Sequence, residues 1–120
     1  MVIARFEELD AWKQARILTK AVYRLSSVGP LQRDWALRNQ MCRAAISVMA
    51  NIAEGFARKG KIEFVRFLII AKSSCTELQS HLYIASDLAY IGTEDHENIF
   101  QLTMRVELVI AGLIRHLRHT

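Results

Sequence analysis

Glu77 and His81 stand four residues apart, which puts an acid and a base on one face of a helix. With Ser74 they form a polar patch on a stripe that is otherwise apolar: Phe67, Ile70, Ile84, Leu88 and Ile91. General acid–base catalysis is the chemistry open to such a pair. No nucleophile or glycine-rich phosphate cradle accompanies it. A buried, mutually hydrogen-bonded pair, inside the chain or between subunits, is therefore the stronger expectation. A di-iron bundle needs Glu-x-x-His on two helices, and no glutamate here has a histidine three positions on. His116 and His119 read as a solvated helix end. Cys42 and Cys75 have no second cysteine or histidine at ligand spacing, so neither a zinc site nor a disulfide framework is expected. The expectation is a chain with no catalytic residue, no metal and no cofactor.

The cations are more suggestive. Lys13, Arg16, Lys20 and Arg24 follow at three-four-four spacing and form one stripe on a helix. Arg58, Lys59, Lys61 and Arg66 make a second cluster, and Arg38 and Arg43 lie between the two. The chain holds sixteen basic and twelve acidic residues, a net charge of +4. Between residues 11 and 61 only Asp34 and Glu54 oppose the cations. An anionic partner fits this asymmetry, and so does a solvated face that serves solubility alone. Neither cluster contains interleaved aromatics for stacking on bases. Binding of RNA or DNA would then be directed to phosphates, weakly sequence-specific and sensitive to salt.

Four helical segments must position these residues, at about 9–25, 34–56, 62–91 and 94–118. Ala11, Ala15, Leu18, Val22 and Leu25 form the seam of the first, which Gly29 and Pro30 end. The second carries two adjacent seams, Leu37-Met41-Ala44-Val48-Asn51-Gly55 and Cys42-Ala45-Met49-Ile52-Phe56. The third repeats Phe64, Leu68, Ala71, Cys75, Leu78, Leu82, Ala85 and Ala89, with Gly92 as its stop and Thr93 as the next N-cap. The fourth shows Ile99, Leu102, Val106, Val109 and Leu113. Short connections make these an all-α, antiparallel up-down-up-down four-helix bundle. Leu18, Val22, Met41, Ala45, Val48, Ile52, Leu68, Cys75, Leu78, Leu82, Leu102, Val106 and Val109 are the expected core.

Composition agrees. A chain of 120 residues is the size of one domain, here 1–120, and 52% apolar content excludes disorder. One proline and five glycines are too few for a turn-rich β fold. The longest apolar run, Leu108 to Ile114, is far short of a membrane span. With no signal-peptide pattern and no disulfide framework, a reducing cytoplasm is the expected location. Helix two has more apolar seam than a monomeric bundle needs, which predicts a homo-oligomer. Ser47, Ala50, Asn51 and Glu54 are the candidate interface: short side chains would let another helix approach, and Asn51 would hydrogen-bond across the contact.

The centre of the chain, Gln40-Met-Cys-Arg-Ala-Ala-Ile-Ser-Val-Met-Ala-Asn-Ile-Ala-Glu-Gly55, resembles the Q-x-x-R-A-x-x-S-x-x-A-N-I-A-E-G signature of the bacterial 23S rRNA intervening-sequence proteins. Phe6-Glu-Glu-Leu-Asp-Ala-Trp-Lys-Gln-Ala15 is similar to the opening of that family, and Glu63-Phe-Val-Arg-Phe-Leu68 and Glu77-Leu78 also correspond. Met49 stands where the family has a proline, Gln32 and Arg33 replace acidic residues, and Ser73-Ser74 replaces glycine-serine. The resemblance implies a four-helix bundle that assembles as a homo-oligomer, typically a ring of five, with no established enzymatic activity. Some members are encoded within 23S rRNA genes. A related branch serves diversity-generating retroelements and contacts nucleic acid and a reverse transcriptase. For most members the molecular role is unknown.

Overall fold

A computed structural model describes residues 2–120. Its four helices are α1 (Asp10–Ser26), α2 (Trp35–Ala57), α3 (Lys61–Asp87) and α4 (Thr93–Arg118), and short 3-10 turns at Phe6–Glu8 and Pro30–Arg33 lead into the first two. No strand occurs among the described residues. Each helix packs on the next, and α1 closes the ring against α4. Side-chain links fix the directions. Thr19 Oγ1 donates to the Ala45 carbonyl at 3.1 Å, and Ser26 Oγ lies 3.5 Å from Cys42 Sγ, so α1 and α2 run opposite ways. Gln79 reaches Thr103, and Ser86 reaches His96, so α3 and α4 do too. Phe64 meets Phe56 near one end of the α2–α3 pair, and Tyr90 meets Asp34 near the other.

The helix ends have local causes. Gly29 has φ +65°, a conformation glycine adopts without strain, and Pro30 follows it. Asp34 is the N-cap of α2, and its Oδ1 accepts from the Leu37 N–H at 3.1 Å. Through Met49, α2 is continuous. α3 stops earlier than its seam predicts. Ala89, not Gly92, turns the chain with φ +57°. The Tyr90 N–H then donates to the Ala85 carbonyl and the Ala89 N–H to that of Ser86, each at 2.9 Å, which is a Schellman closure. Gly92 takes the N-cap position instead, and Thr93 is the first residue of α4 with no capping bond from its hydroxyl.

The core contains Leu18, Val22, Met41, Ala45, Val48, Ile52, Leu68, Cys75, Leu78, Leu82 and Val106, as expected. On α4 the expected register is wrong by part of a turn. Ile99, Thr103, Val106, Ile110 and Ile114 point inward, while Leu102 and Val109 are half-buried at its flank. Thr103 is the reason an apolar seam misses this face. Its hydroxyl donates to the Phe100 carbonyl at 2.6 Å and accepts from Gln79 Nε2 at 2.9 Å, so a polar residue sits fully buried without cost in lost hydrogen bonds. Ser26 similarly replaces Leu25 at the end of the α1 seam. Burial, with the Glu107 carboxylate nearby, pushes the Cys75 thiol up to about 12.

Candidate functional site

Lys13, Arg16, Lys20 and Arg24 are all exposed. At 100° per residue their stripe lies opposite the buried Ala11, Ala15, Leu18 and Val22, so α1 turns it straight to solvent. Among the described residues none of the four has a carboxylate within 4 Å. Arg16 rests over the Trp12 ring at 5.6 Å from its centre, and Trp12 packs edge-on against Phe6. Half-buried Arg38 likewise lies over exposed Trp35, at 5.9 Å, while Arg43 is exposed on α2. Aromatics are thus interleaved with the cations in space, contrary to the expectation from the linear pattern.

The second cluster is divided by the fold. Arg58 donates to Glu54 at 3.0 Å and covers the Phe67 ring, and Arg66 donates to Glu63 at 3.3 Å. These pairs are exposed and weak, but they halve the free charge of the α2–α3 turn. Lys59, at φ +65°, and Lys61, the first residue of α3, have no acidic partner among the described residues. Lys59 stands over Phe56 at 5.8 Å.

The outer side of the α2–α3 pair gathers the candidate interface. Asn51 Nδ2 donates to the Ser47 carbonyl at 2.8 Å and to Ser47 Oγ at 3.0 Å, and Ser74 Oγ donates to Ser47 Oγ at 2.9 Å. The Asn51 amide nitrogen is therefore committed within the chain rather than reaching out of it. Ser47 and Asn51 are half-buried, whereas Ala50 and Glu54 are exposed. Beneath them, a Cβ on Gly55 would lie 2.7 Å from Phe67 Cβ, so this position must be glycine for α2 and α3 to come so close. Further along, Glu77 and His81 are not hydrogen-bonded: Nε2 and Oε1 are 3.9 Å apart. His81 Nε2 is buried with no partner, in a hollow bounded by Asp34, Leu37, Gln40 and Ile84. Exposed Ile70, Ile84 and Leu88 share that face of α3.

Ser74 bonds to Ser47 rather than to Glu77 or His81, the patch in which its spacing placed it, and Tyr90 was absent from the candidate residues. Tyr90 Oη donates to Asp34 Oδ2 at 3.0 Å, which ties the α3–α4 turn to the start of α2 and raises the tyrosine pKa. Only the three-dimensional pairing could have found it. Among the described residues no group of three or more His, Cys, Asp or Glu is placed to hold a metal. Among the described residues no helix is long and apolar enough to cross a membrane.

Among solved structures, a protein of unknown function from the S23 ribosomal protein family of Bacteroides thetaiotaomicron is similar, with a TM-score of 0.78 at 20% identity, over 87% of this chain and 97% of that one. At that identity the likeness speaks for the fold. No curated protein matches the chain at a significant level. The profile of the 23S rRNA-intervening sequence proteins, by contrast, matches residues 7–112, the stretch that includes the α1 stripe, the Ser47–Asn51–Ser74 chain and Gly55. The chain belongs to that family.

Proposed function

We propose that the protein is a non-enzymatic, oligomeric scaffold that binds RNA or DNA through backbone phosphates. The observation that carries this reading is the α1 stripe: four cations facing solvent, opposite the core, with no internal carboxylate to neutralise them. Lys59 and Lys61 at the α2–α3 turn, and Arg38 and Arg43 on α2, are further cations with no acidic partner among the described residues. The cations resting on Trp12 and Trp35 are held in place while their charge stays available. Glu77 and His81, 3.9 Å apart with Glu77 exposed, make neither the buried hydrogen-bonded pair expected from their spacing nor an aligned acid–base couple. A reducing cytoplasm suits two cysteines that remain free.

Assembly belongs to the same reading. The outer α2–α3 side presents Ile70, Ile84 and Leu88 to solvent, and a second copy would cover them. The family resemblance points to a ring of five.

Filter binding of a generic RNA at 50 and 200 mM salt tests the first part. Six to ten phosphate contacts lower affinity by roughly 10³–10⁵ across that range. Replacing Lys13, Arg16, Lys20 and Arg24 with Gln is expected to remove most of the binding and to flatten the salt dependence. No binding by the unaltered protein at 50 mM overturns the proposal in favour of a protein–protein adaptor. Light scattering tests the second part, and a mass near 13.7 kDa at micromolar concentration overturns it.

A further inference from the structure

A groove of about 600 Å³ runs between α3 and α4, well away from the α1 stripe. Lys72 of α3 and Arg115 and Arg118 of α4 line it together with the hydroxyl-bearing Ser73 and Thr76. Arg115 and Arg118 lie in the last turn of α4, where cations also suit the negative end of the helix dipole. The fold brings Lys72, more than forty positions earlier, to the same wall. None of these three cations has a carboxylate within 4 Å among the described residues.

Glu107 lines the groove too, with none of the three cations within 4 Å of its carboxylate among the described residues. Its Oε1 accepts a hydrogen bond from Gln79 Nε2, and that nitrogen also donates to Thr103 Oγ1. The carboxylate is thus held toward the α3–α4 seam, with its second oxygen outside that bond. A neighbouring hollow of about 290 Å³ shares Lys72, Glu107 and Ala111 and adds Met104 and Leu108. Leu108 is 73% exposed, and Met104 is exposed beside it. Leu108 and Arg115 are two turns apart on α4, about 10 Å. A ligand that satisfies both ends must therefore carry an anionic group at one end and a flat apolar body at the other.

We propose that this composite groove binds a nucleotide. Lys72, Arg115 and Arg118 take the phosphate, with Thr76 as an added donor. Met104, Leu108 and Ala111 form the shelf for the base, where the flexible thioether of Met104 adapts to a ring face. Glu107, between the two, accepts from a ribose hydroxyl. A free nucleotide and the phosphorylated end of a strand present the same chemistry.

Calorimetric titration of the full chain with adenosine monophosphate, guanosine monophosphate, adenosine and inorganic phosphate tests the assignment. Both nucleotides are expected to bind at least tenfold more tightly than adenosine or phosphate alone. Arg115→Gln with Arg118→Gln is expected to weaken nucleotide binding at least tenfold. Leu108→Gln is expected to weaken nucleotides while leaving inorganic phosphate unchanged. These side chains are exposed, so the helical circular dichroism should not move. Equal affinity for adenosine and its monophosphate, or no effect of the arginine substitutions, overturns the proposal. Tighter binding of a 5′-phosphorylated oligonucleotide than of its 5′-hydroxyl form assigns the site to strand ends, and equal binding assigns it to free nucleotides. The α1 glutamine variant separates this site from the proposed scaffold function: it loses generic RNA while keeping the monophosphates.

Discussion

At Gly55, the last residue of the A-N-I-A-E-G run, sequence identity has a steric meaning. A Cβ there would meet Phe67 Cβ at 2.7 Å, Phe64 Cδ1 at 3.1 Å and the Phe64 carbonyl at 3.3 Å. One of these neighbours is backbone and another is the root of a side chain, so little can yield. Gly55→Ala is expected to lower stability by about 1–3 kcal/mol through overpacking, despite alanine's better helix propensity. Urea unfolding of the two proteins checks it. Cys75 makes the opposite case, a residue whose chemistry is suppressed by place. Its thiol is fully buried and lifted from the ordinary value of 9.0 to about 12. The folded state therefore favours the protonated thiol, and this contribution to stability is complete below about pH 9 and fades between about 9 and 12. A thiol reagent at pH 8 is expected to leave Cys75 unmodified in the native protein and to label it in denaturant. Labelling of Cys75 in the native protein at the denatured rate would contradict the burial.

Element ends show where linear reading succeeds and where it fails. Gly29 and Pro30 mark the end of α1 by backbone chemistry that is visible in the letters. The end of α3 is not visible, because Ala89 adopts a left-handed conformation that its residue type disfavours. Ala89→Gly should relieve that strain and stabilise the protein by about 1 kcal/mol, measured as a raised denaturation midpoint. An unchanged or lowered midpoint would mean that glycine's freedom in the unfolded chain outweighs the strain. The seams of α2 and α3 were legible because their inward positions are almost all apolar. α4 was misread at Thr103, where a hydroxyl bonded to Phe100 and Gln79 behaves as a core residue. The candidate cations were legible as types and spacing. Their state was not: Arg58 and Arg66 find carboxylates one turn away, whereas Arg16 and Arg38 find indole rings.

On the scale of the whole molecule, the bundle measures 46 × 21 × 20 Å, and every helix carries some exposed apolar side chains. Ile70, Ile84 and Leu88 line one side of α3 over a length of about 27 Å. If that side meets a second copy, Ile70→Asp with Ile84→Asp is expected to reduce the mass seen by light scattering to that of one chain. Both side chains are partly exposed, so the helical signal should survive. An unchanged oligomer would move the interface to another face.

The three-residue connection between α2 and α3, with the close approach at Gly55, also carries a kinetic consequence. These two helices share the most extensive contact in the bundle, and the loop that joins them is the shortest. Closing a short loop sacrifices little chain entropy, so this hairpin is where folding should nucleate. α1 reaches its place through the longer Ser27–Asp34 connection and must pack against both α2 and α4. Stopped-flow refolding is expected to give Ile52→Val and Leu68→Ala φ-values above about 0.5, and Val22→Ala a value near zero. In that order of events the basic stripe is mounted last, on a hairpin already formed. A chain still folding would then carry its α1 cations on a mobile segment before they are set in one row.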